Sequence, residues 1–445
     1  LDAGVRDAGA HDAGFQDAGV DAGLDAGLDA GFSFTVLSRQ TLDGGVSFEL
    51  LRLTQPGRAA SYARWFPPVD GGLAPVVVMT QPYDGIDWTG EEVDARWAAQ
   101  GAGLFPDRDG PNWDGGNQVI VYTPQSHAEA ADAANLWRFH GFSVLMIYGR
   151  FYAGGDVQND IDDMTAGFEF LARQPTVDRA HIGIVGGSWG GFEALYAAAY
   201  ARADVRPTAG VALYPLSDFQ VEQAYVTQVL PTRYTLASSR DKSQAFFEPY
   251  LRRLAPTVAR NGGYAALIAG NLVQRITAPF LLIHEDWDTL VSFEQSTQLV
   301  SLAPQRFEPL WLLHAAPPAP WDQTVTSHGQ LLQQLGPVTD YTFVWAFLLR
   351  RLGAPTQPLY VPIDAVGLRA LTQLVHDRQA QGQDVRFYAQ RLLELTDSRV
   401  STYELTSLAI VPGVQTVAAE VNAVWGTHWT ATDAAAQLAQ GLPAP

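Results

Sequence analysis

Residues 181–201 read HIGIVGGSWGGFEALYAAAYA: a short apolar run, a serine between glycine pairs, then an alanine-rich stretch of helical character. This order is what a nucleophile elbow, G-x-S-x-G, requires. There the serine occupies a strained corner between a buried strand and a helix, and small flanking residues let strand and helix approach closely. Gly186 and Gly190 fill the two required positions, and Gly187 and Gly191 add room. A glycine-rich turn carrying an idle serine has the same letters, so the context decides, and both the preceding strand and the following helix are present. Ser188 is the expected nucleophile.

Working outward, "PVVVMT" (75–80), "VLMIY" (144–148), "AGVALY" (209–214), "PFLLIH" (279–284) and "LWLLH" (310–314) are further nearly unbroken apolar runs. Such runs fit strands buried on both faces of a parallel sheet. Helical patterns separate them, at 126–141, at 160–174 and after Ser188, which predicts an α/β sheet covered by helices on both faces. Ahead of these, "FSFTVL" and "VSFELLRL" read as an antiparallel pair. Residues 217–276 form a long helical insertion between strands, read as a cap over the site. The catalytic domain is taken as 32–353 and the remainder, 354–445, as a helical C-terminal extension.

Composition narrows the function. Of 445 residues, 47 are acidic and 28 basic, a net charge of −19, which argues against nucleic acid or an anionic membrane surface as partner. There are no cysteines, which removes disulfides, thiolate metal sites and a cysteine nucleophile. No apolar run is long enough for a membrane helix. Residues 1–31 repeat Asp-Ala-Gly, too poor in apolar surface and too charged to order, and read as a disordered acidic spacer. The chain opens at Leu1, so a removed export signal is expected, giving a secreted or cell-envelope protein, lipid-anchored through a preceding segment. Asp107, Asp109 and Asp114 in "FPDRDGPNWDGG" have oxygen ligands at spacing able to hold calcium, although a polar turn is the simpler reading. No nucleotide fingerprint is present, and neither a cofactor nor a catalytic metal is expected.

A serine hydroxyl needs a base and the base an orienting acid; on this architecture they follow in the order serine, acid, histidine, at the carboxyl ends of strands. His314 and His328 meet that order. His328, in the loop "TSHGQLL", is preferred because a loop residue can swing over the serine. For the acid, "HEDWDTLV" offers Asp288 first and Asp286 second, with Asp218 after the preceding strand a third choice. One oxyanion-hole donor is the backbone N–H of Trp189. The other comes from "QPYDGID": the backbone of Gln81 or Tyr83, or the Tyr83 phenol.

On these residues the chain resembles the α/β-hydrolase superfamily, and within it the X-Pro dipeptidyl-peptidase and cocaine-esterase group, over roughly 75–350. "PVVVMTQPYDG" is similar to that group's strand and Pro-Tyr-Asp loop, which implies that the Tyr83 hydroxyl completes the oxyanion hole. "GGSWGG" is equally similar to the elbow of prolyl-oligopeptidase-like enzymes. "APFLLIHEDWDTLVSFEQS" is similar to the acid-bearing strand and implies Asp288; "SHGQ" is similar to the histidine loop. Glu285 stands where a glycine is usual, and helices replace the β-sandwich that follows the X-Pro catalytic domain. The resemblance implies a serine hydrolase acting on a small-molecule or peptide substrate, an esterase by preference. Its alternatives are an X-Pro or prolyl-oligopeptidase type of peptidase, or a non-catalytic surface protein that binds on a hydrolase fold.

Overall fold

The computed structural model describes residues 31–41, 46–58, 60–82, 130–131, 133–135, 137–138, 141–151, 156–233, 241, 251, 254–256, 258–259, 262–286, 288–312, 328, 344, 346–353, 365–380, 382, 385, 389, 392–393 and 413–442. Among the described residues nine strands make one sheet: β1 Ser33–Thr41, β2 Ser47–Thr54, β3 Ser61–Phe66, β4 Ala74–Gln81, β5 Ser143–Tyr148, β6 Val177–Gly187, β7 Ala209–Leu213, β8 Phe280–Glu285 and β9 Phe307–Leu312. Their spatial order is β1-β2-β3-β5-β4-β6-β7-β8-β9. The first three run antiparallel, and β3 meets β5 antiparallel. From β5 to β9 every pairing is parallel. This is the mostly parallel, doubly covered sheet of the α/β-hydrolase fold, extended at one edge by a meander.

The side-chain alternation of a strand divides the apolar runs between two cores. Val76 and Val78 face one core with Leu145, Ile147, Ile184 and Leu282. Val77 faces the other with Val144, Met146, Val211 and Ile283. Both faces are dry, so the runs read as continuous rather than alternating.

The first core is closed by α1 Val157–Leu171, α2 Trp189–Tyr200, α4 Ala269–Arg275 and α5 Glu294–Leu302, through residues such as Phe168, Phe192, Leu272 and Leu299. Between α2 and α4 lies the short α3 Phe219–Ala224, which runs on through a π-helical turn, Tyr225–Val229. These, with α4, are among the described parts of the 217–276 insertion. The helix expected over 160–174 begins instead at Val157. Asp156 caps it by accepting from Asn159 N at 3.0 Å, while Asn159 Oδ1 accepts from Asp156 N, a reciprocal box that fixes the start.

The second core is closed by α6 Ala346–Arg351, α7 Ala365–Ala380, α8 Gly413–Trp425 and α9 Ala431–Ala439. Phe347, Leu368, Val375, Val417, Val421 and Leu438 all join the cluster that contains Val77. Among the described residues no helix is long and apolar enough to cross a membrane.

Candidate active site

The corner at Ser188 is built as the glycines require. Ser188 has φ 56° and ψ −120°, outside the regions an L-residue ordinarily occupies, at a cost on the order of 1–3 kcal/mol. A β-carbon on Gly186 would run into the Gly190 carbonyl and Thr80 Oγ1. One on Gly191 would stand 2.7 Å from Pro215 Cβ. The close approach is held by hydrogen bonds: Thr80 Oγ1 donates to Gly190 O at 3.0 Å, and Ser188 N donates to Leu213 O at 2.8 Å. The second bond ties the corner to the end of β7. Ser188 itself is half-buried and lies where β6 gives way to α2.

Asp288 follows β8 and is buried. Its Oδ1 accepts from the N–H groups of Leu290 and Val291, both at 2.8 Å, which closes a tight turn and orients the carboxylate. Its Oδ2 lies 2.7 Å from Nδ1 of His328. Burial alone would raise the Asp288 pKa. The charge of His328, with hydrogen bonds from His284 and His328, outweighs burial and holds it at about 2. The Asp288 carboxylate is therefore ionised at neutral pH.

Nε2 of His328 is buried and has no hydrogen-bond partner among the described residues, so no hydrogen bond joins it to Ser188 Oγ here. Tyr214 links the two regions. Its ring packs edge-on to His328 with centroids 4.5 Å apart, and its hydroxyl lies 3.4 Å from where a β-carbon of Gly187 would stand. Tyr214 adopts φ 38° and donates its N–H to Ile283 O at 2.6 Å, so this side chain is fixed by the ends of β7 and β8.

Of the other sequence-selected residues, Trp189 opens α2 directly after the serine. Its indole Nε1 donates to Asp160 Oδ2 at 2.6 Å, and its ring stacks on Phe151 at 4.1 Å. Asp286 is half-buried beyond β8. Asp218 is occupied elsewhere: it caps α3, accepting from Gln220 N at 3.0 Å and Val221 N at 2.9 Å. Tyr83, His314 and the aspartate-rich loop 105–116 lie outside the described residues. Among the described residues no group of three histidines and carboxylates is placed to hold a metal ion.

A buried acid cluster beneath Trp189 was not legible from the motifs. Asp160 Oδ1 accepts from Arg150 N at 2.6 Å and Phe151 N at 2.7 Å, and Arg150 forms an ion pair with Asp163 at 2.6 Å. Burial, then the charge of Asp163, pushes Asp160 up to about 7, against hydrogen bonds from Trp189, Phe151 and Arg150. Burial pushes Asp163 up to about 6 despite Arg150. Glu193, one turn into α2, is raised well above its ordinary value by burial first and then by the charges of Asp160 and Asp163. The available signal was a helix, "DIDDM", with acids on the face that its apolar residues bury.

Residues 153–319 match the prolyl oligopeptidase family, Peptidase_S9. No curated protein matches the chain. Among solved structures, dipeptidyl peptidase 4 of Porphyromonas gingivalis is similar at 16% identity and TM-score 0.37, over 60% of this chain and 32% of its own. A puromycin-hydrolyzing peptidase of Mycobacterium tuberculosis is similar at 16% identity and TM-score 0.45, over 71% of this chain and 41% of its own. Acetyl xylan esterase 1 of Thermoanaerobacterium sp. JW/SL YS485 is similar at 15% identity and TM-score 0.39, over 72% of this chain and 87% of its own. The chain spans less than half the length of either peptidase. The sheet order and the strained serine corner give this chain the α/β-hydrolase fold, and residues 153–319 are similar to the prolyl oligopeptidase family.

Proposed function

We propose that this hydrolase cleaves a carboxylic ester through an acyl-enzyme, with Ser188 as nucleophile, His328 as base and Asp288 as the orienting acid. The observation that carries the reading is the Asp288 Oδ2 to His328 Nδ1 contact of 2.7 Å, which leaves Nε2 as the nitrogen without a partner. A carboxylate only accepts, so Nδ1 carries the hydrogen and Nε2 presents its lone pair, the tautomer a general base needs. That assignment follows from the partners.

In the reaction His328 Nε2 takes the Ser188 proton as Oγ attacks the substrate carbonyl carbon. The carbonyl electron pair moves to oxygen, and the backbone N–H of Trp189 and the Tyr83 hydroxyl bind the oxyanion. Collapse expels the alcohol, which leaves with the proton from Nε2. Water then repeats the two steps on the acyl-enzyme and regenerates Ser188. Asp288, ionised throughout, stabilises the imidazolium formed in each step.

An amide substrate is the second reading, favoured by the match to a peptidase family over residues 153–319. Among the described residues none is assigned as a ligand for a peptide amino terminus, and the ester is kept as the first reading. Turnover of p-nitrophenyl acyl esters against dipeptidyl p-nitroanilides separates the two. Higher kcat/KM on the esters, lost in Ser188→Ala, is expected; higher kcat/KM on the amides would transfer the assignment to a peptidase. No turnover of either class, with wild type and Ser188→Ala alike, would leave a binding protein.

A further inference from the structure

His284 ends the apolar run of β8 and is fully buried. On a strand its neighbour Glu285 points to the opposite face. The ring is fixed from the turn after β8 and from α5 with its N-cap residue. Its Nε2 lies 3.2 Å from Val291 O and 3.4 Å from Asp288 Oδ2, both in the turn after β8. Its Nδ1 lies 2.8 Å from Ser296 Oγ on α5. Phe293 packs edge-on to the ring, with centroids 5.6 Å apart. A carbonyl and a carboxylate can only accept, so the partners assign the hydrogen to Nε2. The Ser296 hydroxyl can donate to Nδ1, an arrangement compatible with the neutral, Nε2-protonated tautomer.

We propose that His284 is a positioning residue for the acid of the site: a neutral imidazole whose Nε2–H, shared between Val291 O and Asp288 Oδ2, holds that oxygen against His328. The inference rests on the assignment of Asp288 and His328 made above. With His284 in place, Oδ1 of Asp288 takes the Leu290 and Val291 N–H groups, and Oδ2 faces both His328 Nδ1 and His284 Nε2. Rotation of the carboxylate then costs several hydrogen bonds together. The neutral form matters as much as the geometry. A cation at residue 284 would draw on the charge of Asp288 as His328 becomes imidazolium, whereas an uncharged N–H fixes the oxygen with far less competition.

The other ionisable groups packed on this turn do not take over the role. Glu222 of α3 is pushed up to about 8, by burial first and also by the charge of Asp288, so it is neutral when the site works. It accepts from Ser292 N and Gln295 Nε2, both at 3.3 Å. Tyr225 donates its hydroxyl to the backbone carbonyl of Asp288 at 2.6 Å, away from the carboxylate. Tyr214, edge-on to both histidines, contributes an aromatic ring.

The test compares His284→Leu, His284→Gln and Asp288→Asn by pH profiles of ester hydrolysis. The leucine variant is expected to lose about tenfold in kcat, the scale of one hydrogen bond to a charged group, with KM little changed. Its acid limb of kcat/KM is expected at higher pH, because an Asp288 with one donor fewer holds a protonated His328 more strongly. The glutamine variant keeps an N–H near Nε2 and is expected to recover most of kcat and the limb position. A leucine variant with the wild-type limb, or glutamine and leucine variants equally impaired, would overturn the inference. Asp288→Asn keeps that outcome separate from the parent assignment. A loss in kcat of about a thousandfold or more sustains the acid role of Asp288 whatever residue 284 does; near wild-type activity removes the parent assignment itself. Independently of any variant, 15N NMR of selectively labelled wild-type protein is expected to show a neutral, Nε2-protonated His284 at pH 7, and a cationic or Nδ1-protonated ring would contradict the proposal.

Discussion

At Gly186 the strained corner depends on the absence of one carbon atom. A β-carbon there meets the Gly190 carbonyl and Thr80 Oγ1, and neither can retreat without opening the contact between β4, β6 and α2. Gly186→Ala is expected to lower stability by about 1–3 kcal/mol, the usual cost of overpacking, and to reduce kcat by displacing Ser188. Urea unfolding and ester turnover measure the two effects; an alanine variant equal to wild type in both would show that the corner has slack. Chain order and strand ends leave few positions for a serine, acid and histidine, which is why Ser188, Asp288 and His328 could be put forward; of these the structure brings Asp288 against His328. His284 and the acid cluster were not legible. Patterning assigns carboxylates to solvent, and nothing local signals that Trp189 reaches Asp160, 29 residues earlier in the chain. The same holds for His284, whose role depends on Ser296 and Asp288 closing around it.

The elements that carry the site are bound to one another by a few buried polar groups. Gln295, on α5, is fully buried and reaches across to the segment between β7 and α3. Its Oε1 accepts from Ser217 N at 2.9 Å and Asp218 N at 2.7 Å, and its Nε2 donates to Asp218 O at 2.9 Å. Gln295→Ala leaves those backbone groups unpaired in a dry interior, and a destabilisation of about 2–4 kcal/mol is expected by chemical unfolding. A change of a few tenths would indicate that water takes their place. The parallel strands were readable as apolar runs, whereas β3 was missed. Its sequence, SYARWF, carries Arg64 in mid-strand, and only the tertiary partner explains this. The guanidinium is buried, donating to Tyr148 Oη at 2.6 Å.

Across the whole molecule, buried carboxyl groups set the pH dependence of stability. Asp160, Asp163 and Glu222 titrate at about 7, 6 and 8 in the folded protein, burial being the largest cause in each. In the unfolded chain such groups titrate near their ordinary values of about 4. Between the two values the folded state holds more protons, so stability falls as pH rises from about 4 to 8. Asp288 acts in the opposite sense: with a folded value of about 2, its contribution is complete above about pH 4 and is lost as pH falls toward 2. The net charge of −19 adds self-repulsion on the alkaline side. Thermal unfolding is therefore expected to give its highest Tm between about pH 4 and 6 and a lower one at pH 8. Glu193→Gln, which removes a carboxyl whose pKa burial raises, is expected to make the alkaline decline shallower. A Tm that climbs steadily to pH 8 would contradict the account.

The claim on which all of this turns is that residue 188 is a nucleophile activated by His328. Reaction with a fluorophosphonate, followed by intact mass and peptide mapping, tests it most directly. One phosphonyl group on Ser188 is expected, with none in Ser188→Ala and slow labelling in His328→Ala; an unmodified wild-type protein, or an adduct that persists in Ser188→Ala, would contradict it.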